Sequence, residues 1–118
     1  MPKTTQTYWN VLRNNTLWEY VPDTNELIEF CTMSIDENTK EYTRLTRFKP
    51  GANTETIGCT EHDYPEEVFI VSGKLYDKAF DQWLEQGDYA SRPPHEKHGP
   101  FYTDVGCVVL EVSFPLRK

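Results

Sequence analysis

Three histidines stand in this chain, at positions 62, 95 and 98, and each is crowded by acidic residues. His62 follows Glu61 and precedes Glu66 and Glu67 in the stretch HDYPEEVFIVSG; His95 and His98 flank Glu96 in RPPHEKHGP. Imidazole and carboxylate together are the usual ligand set for iron, manganese, nickel or zinc. The same grouping also describes a solvated strand edge. Three cysteines, at 31, 59 and 107, are odd in number and form no CxxC pair, which argues against a structural zinc knuckle. Cys59 reads as a buried free thiol rather than a soft ligand.

These side chains need elements to hold them. Glu66 opens VFIVSG, an apolar, β-branched run stopped by glycine, which is the pattern of a buried strand. Alternating parity along that strand turns Glu67 outward. Pro65 disfavours a continuous strand through 62–66, so a turn at Asp63-Tyr64-Pro65 ends one strand at His62 and begins the next at Glu66. Further strands are expected over ELIEFCTMSID and EYTRLTRFK, the latter with Tyr42, Arg44, Thr46 and Phe48 on one side. A weaker strand is expected over TETIGCTEH, a hairpin turning at EQGD, and two closing strands across TDVG. Gly73 is expected to break the strand that Glu66 begins. Some eight short strands at roughly ten-residue spacing, with no helical stripe, imply an all-β sandwich or barrel.

Length and charge narrow the class. The 118 residues suit one domain: an N-terminal arm over 1–17 and a folded unit over 18–118. The arm is expected to contribute little to the core. A net charge of −7 argues against nucleic acid and anionic membranes as partners. The longest apolar runs fall far short of the ~20 residues a membrane span needs. Free thiols and the lack of an apolar leader fit a cytoplasmic setting. Aromatics at 14% and a small core suggest a homodimer.

The order of these parts resembles the cupins. That family's second motif, G(x)5PxG(x)2H(x)3N, runs here from Gly87 through Pro93 to His98, with His95 at the glycine and Tyr102 at the asparagine. In the first motif, G(x)5HxH(x)3,4E(x)6G, His62 takes the second histidine, Glu66 the glutamate and Gly73 the final glycine; Thr60 stands where the first histidine belongs. LTRFKPGA, EEVFIVSG, GDYASRPPHEKHGPF and GCVVLEV are similar to ChrR-type anti-sigma cupin domains and to acetylacetone-dioxygenase-like cupins. The resemblance implies a cupin barrel (a jelly-roll, or double-stranded β-helix) and a divalent metal held by His62, Glu66 and His98. Two histidines and one carboxylate form the facial set of non-haem Fe(II) chemistry, so iron is favoured, with Zn, Mn or Ni as alternatives. The implied activity is a dioxygenase acting on a small enolisable or dicarbonyl-like substrate. A metal-dependent isomerase, lyase or cyclase without O2, or a non-catalytic binding cupin, stays open. His95 and Tyr102 are the candidates for catalytic contact beside the metal, although an exposed loop histidine and a packing tyrosine fit those positions too. Arg92 suits either an anionic substrate or a structural ion pair.

Overall fold

The computed structural model describes residues 3–115. Nine strands, all paired antiparallel, form the barrel among them: β1 Thr4–Thr5, β2 Glu19–Tyr20, β3 Ile28–Ile35, β4 Tyr42–Phe48, β5 Glu66–Asp77, β6 Gln82–Glu85, β7 Tyr89–Arg92, β8 Phe101–Tyr102 and β9 Cys107–Ser113. The path runs β1-β3-β4-β9-β5-β6, with β2 beside β3, and β7 and β8 beside β5. Two short 3-10 turns, Val11–Arg13 and Asn15–Leu17, are the helical pieces of the described residues. No helix among them is long and apolar enough to cross a membrane.

Strand parity sorts the side chains into two layers. Inside the barrel, Ile28, Phe48, Val68, Ile70, Leu75 and Val109 form the main core with Ala52 and Cys107. On the outer face, Trp18, Cys31 and Leu45 form a second cluster, against which Val11, Leu17 and Leu110 pack. The N-terminal stretch therefore covers an outer sheet face and leaves the barrel interior to later residues. Several bonds tie it down: Thr4 and Thr5 pair with Ile35 and Ser34, Gln6 N donates to the Met33 carbonyl at 2.8 Å, Arg47 donates to the Leu12 carbonyl at 3.1 Å, and the Trp18 indole N–H donates to the Val11 carbonyl at 2.9 Å. Of the other tryptophans, Trp9 is 80% exposed, while Trp83 packs on Tyr76 and Tyr102.

Three expectations from the sequence are corrected. TETIGCTEH is a turn, not a strand. Its polar side chains bond the nearby backbone, with Asn53 Oδ1 accepting from Glu55 N at 2.7 Å, and Ile57 and Gly58 both donate to the Thr54 carbonyl. Such local bonds outcompete a ladder despite the β-branched composition. EQGD is not a hairpin turn either. Asp88 closes a small loop on Glu85, and Ile70 bonds both Gly87 and Asp88, so β6 and β7 run in line along one side of β5. The reversal lies earlier, at Lys78–Asp81. Finally, Gly73 does not break β5. The strand continues for 12 residues, and the missing side chain lets β9 approach. A Cβ at Gly73 would sit 2.0 Å from the Gly106 carbonyl oxygen, with φ already at +74°.

That contact predicts a graded response. Gly73→Ala should destabilise the protein by about 3 kcal/mol or more, because backbone strain and a backbone clash add. Gly51→Ala has the same positive φ but open space around it, so it should cost only about 1 kcal/mol. Urea unfolding of the two variants checks the difference; equal losses would show that the approach to Gly106 is unimportant.

Candidate metal centre

Glu66 is the first residue of β5 and is 4% exposed. His62 reaches the same place from the preceding bend rather than from the end of a strand, since residues 61–65 are irregular. Its Nε2 lies 3.8 Å from Glu66 Oε1. His98 precedes β8 by three residues and is held in a two-residue bridge with Thr60: each backbone N–H donates to the other's carbonyl, at 2.8 and 2.9 Å. A second anchor holds the same loop, where Gly99 N donates to the buried Asp77 carboxylate at 2.9 Å.

One ligand atom from each of His62, Glu66 and His98 lies within 4.8 Å of the others. Donors about 2.1 Å from one ion stand about 3 Å apart at right angles, so side-chain adjustments on the order of 1 Å bring the set to bonding geometry. The donors suit a divalent cation. His98 Nε2 is buried without a hydrogen-bond partner among the described residues, a condition that costs about 1–3 kcal/mol unless something takes up its lone pair. Its other nitrogen, Nδ1, lies 3.3 Å from the Thr60 hydroxyl. Thr60 therefore has a use in place of the motif histidine: its hydroxyl meets Nδ1, so Nε2 is the nitrogen of His98 that could face a cation.

The electrostatics of the pocket follow from burial. Burial pushes the Glu66 carboxyl up to about 7, and the Glu111 carboxylate adds to the push. Burial also holds His62 and His98 below the usual imidazole range, so both rings stay neutral and able to donate a lone pair. The inner cavity, about 70 Å³, has Val68, Ile70, Leu75 and Val109 as apolar walls, with the three candidate ligands, Arg92 and Glu111 as its polar part. A wider vestibule of about 350 Å³ shares His62, His98, Phe101 and Glu111 with it and adds Val21, Phe30 and Ile57.

The remaining candidates divide. Arg92 lines the inner cavity but spends its guanidinium on Asp77, at 3.3 Å, and Glu96, at 3.1 Å. His95 lies outside: it is exposed, has φ +68°, and faces Glu61 at 3.2 Å. Tyr102 also points away, stacking edge-on with Trp83 and remaining 38% exposed. Cys59 is exposed rather than buried. Glu67 faces outward and bonds the Tyr89 hydroxyl. Three site residues escaped the sequence reading: Glu111, Arg44 and Tyr42. Glu111 accepts from Arg44 at 3.2 Å and from the Thr46 hydroxyl. The signal was available, since Glu111 shares inward parity with Cys107 and Val109 in an otherwise apolar strand.

Comparison with known proteins now has a geometry to meet. No curated protein matches the sequence. Among solved structures, an RmlC-like cupin from Shewanella frigidimarina superposes with TM-score 0.71 at 16% identity, covering 100% of this chain and 97% of its own. An acetylacetone dioxygenase from Acinetobacter johnsonii gives 0.72 at 15% identity, covering 97% and 77%. The Rhodobacter sphaeroides anti-sigma ChrR, solved in complex with SigE, gives 0.60 at 13% identity over 82% of this chain and 49% of that one. At these identities the likeness is one of fold. The sequence model of the ChrR cupin-like domain matches residues 10–117, and the chain belongs to that cupin family.

Proposed function

We propose that this protein is a metal-dependent cupin enzyme, a non-haem Fe(II)-type dioxygenase that acts on a small enolisable or dicarbonyl-like substrate. The observation that carries the reading is the convergence of His62, Glu66 and the partnerless His98 Nε2 at the end of an apolar cavity. Bound Fe(II) supplies redox chemistry with O2 and open coordination positions for a chelating substrate. The chain's own residues do the rest. His62, Glu66 and His98 hold the ion by one face. Val68, Ile70 and Val109 exclude water, which strengthens every charge interaction within. The vestibule walls, Val21, Phe30, Ile57 and Phe101, suit a small substrate with an apolar body and one polar, chelating end. His95 faces Glu61 and Tyr102 faces Trp83, both outside the cavity, so this reading puts the chemistry on the metal-binding face.

The family match favours a second reading, a ligand- or metal-binding module without turnover, because a ChrR domain is the matched family and one fold relative is bound to a sigma factor. A redox-inactive metal would instead favour an isomerase, lyase or cyclase. The assay separates them: Fe(II)-loaded protein should consume O2 in proportion to an added 1,3-dicarbonyl such as acetylacetone. Iron binding without O2 uptake over a panel of such compounds would leave the binding module. We also assign the chain a cytoplasmic setting and a second copy of itself as partner; light scattering should then give about twice the 13.8 kDa of one chain.

Two further outcomes test the metal site itself. His98→Ala should weaken metal binding by more than the roughly 10–100-fold that loss of an outer partner costs. It should keep the fold, because His98 is not part of the apolar core; metal analysis and circular dichroism on the same sample check both halves. Metal affinity should also depend on pH with a fixed sign. Glu66 must lose its proton to bind, and that proton is held up to about pH 7. Affinity should therefore fall by up to about tenfold per pH unit below 7 and level off above it. A flat profile between pH 5 and 8 in metal competition would remove Glu66 from the ligand set.

A further inference from the structure

The two oxygens of Glu66 face different neighbours. Oε1 looks toward His62 Nε2, at 3.8 Å. Oε2 lies 3.4 Å from the Tyr42 hydroxyl, which donates to it. Tyr42 is itself fixed from three directions. Its hydroxyl meets the Tyr64 hydroxyl at 3.0 Å. Its ring lies under the Arg44 guanidinium, 4.3 Å from the centroid, and Arg44 is tied to Glu111. Its backbone N–H donates to Ser113 Oγ at 2.7 Å. Tyr64 in turn stacks flat on the His62 ring, with centroids 4.8 Å apart and 12° between planes. One tyrosine pair thus braces two of the three candidate ligands.

We propose that Tyr42 is a positioning residue of the metal centre: it occupies Glu66 Oε2 and so restricts Glu66 to one-oxygen coordination through Oε1, with Tyr64 holding Tyr42 in place. The inference rests on the reading that His62, Glu66 and His98 bind a divalent metal. Its consequence is a count of open positions. A six-coordinate ion held by two imidazoles and one carboxylate oxygen has three positions left for other ligands. If the carboxylate swings to bind through both oxygens, only two remain. Carboxylates switch between these modes readily, so the chain needs a device that decides between them, and a hydrogen bond to the second oxygen is one. The missing motif histidine makes the decision matter more. With Thr60 in that place, Glu66 is the flexible member of a three-residue set.

The test uses Co(II) as the metal and azide as an external ligand, both read by visible absorption without turnover. Wild-type protein should bind Co(II) and then azide. Tyr42→Phe removes the hydroxyl and keeps the ring against Arg44. Its Co(II) band should change in shape and intensity, and its azide affinity should fall about tenfold. Tyr64→Phe leaves the Tyr42 hydroxyl but removes its partner, and should move both readouts the same way by less. It decides the matter alone if Tyr42→Phe does not fold. A purely structural role would lower the melting temperature of the metal-free variants and leave the Co(II) band and azide affinity at wild-type values; that result overturns the proposal. Failure of the wild-type chain to bind Co(II) would be a different result, removing the metal reading and this inference together.

Discussion

The Asp77 carboxylate is the tie on which the candidate site depends. It is 1% exposed and closes the far end of β5. One oxygen accepts from Gly99 N and from Ala79 N, and the other accepts from Arg92. Three segments therefore meet on one side chain: the β5–β6 reversal, the end of β7 and the loop that carries His98. A buried charge is tolerated only when it is paired and fully hydrogen-bonded, and breaking such a pair costs about 3–5 kcal/mol. The network is thus a strong restraint, and through Arg92 it reaches the wall of the inner cavity. Glu66 is fixed at the other end of the same strand, so β5 sets the distance between the ligand it carries and the loop it anchors.

Around this frame the cavity places cations and anions in close pairs within apolar walls. Arg44 meets Glu111, and Arg92 meets Asp77 and Glu96. These pairs take up much of the positive charge near the cavity, and they leave His98 Nε2 and Arg44 Nε buried without a hydrogen-bond partner among the described residues. Low dielectric keeps the histidines neutral, and it makes an ionised Glu66 costly until a cation is beside it. The departure of this chain from the common cupin pattern fits the same logic. Thr60 brings no imidazole, yet its hydroxyl meets His98 Nδ1 and its backbone pairs with His98 on both sides. Thr60 thus supports the candidate ligand His98.

Much of the architecture was legible because strand periodicity is a local property. Ile28, Phe48, Val68, Ile70 and Val109 point inward as their alternation requires. The errors came where backbone groups are satisfied by something other than a ladder. TETIGCTEH has strand composition, but Asn53 Oδ1 accepts from Glu55 N and Thr54 Oγ1 accepts from Phe101 N, so the segment turns instead of joining a ladder. EQGD has hairpin composition, but its flanking strands both find β5. Gly73 has the signature of a breaker, and serves as the point of closest approach to Gly106. For EQGD and Gly73 the missing information is a partner distant in sequence, which leaves no mark on local pattern; for TETIGCTEH it is the competition from local bonds.

Local chain geometry carries the fold class and the candidate ligands His62, Glu66 and His98. Motif spacing places His62, Glu66 and His98 in order, and the opposite parity of Glu66 and Glu67 assigns one inward and one outward. Those are consequences of chain geometry over a few residues. Which other groups gather around these residues is a matter of long-range packing. His95 and Tyr102 lie as near to His98 in sequence as any residue singled out, yet a left-handed backbone at His95 and the pairing of Tyr102 with Tyr76 send both away. Tyr42, Arg44 and Glu111 lie far from the motifs and arrive because β4 and β9 stand side by side, with Arg44 opposite Glu111. Register between strands is set by packing the whole barrel at once, so the inward parity of Glu111 shows along its own strand while its pairing with Arg44 does not.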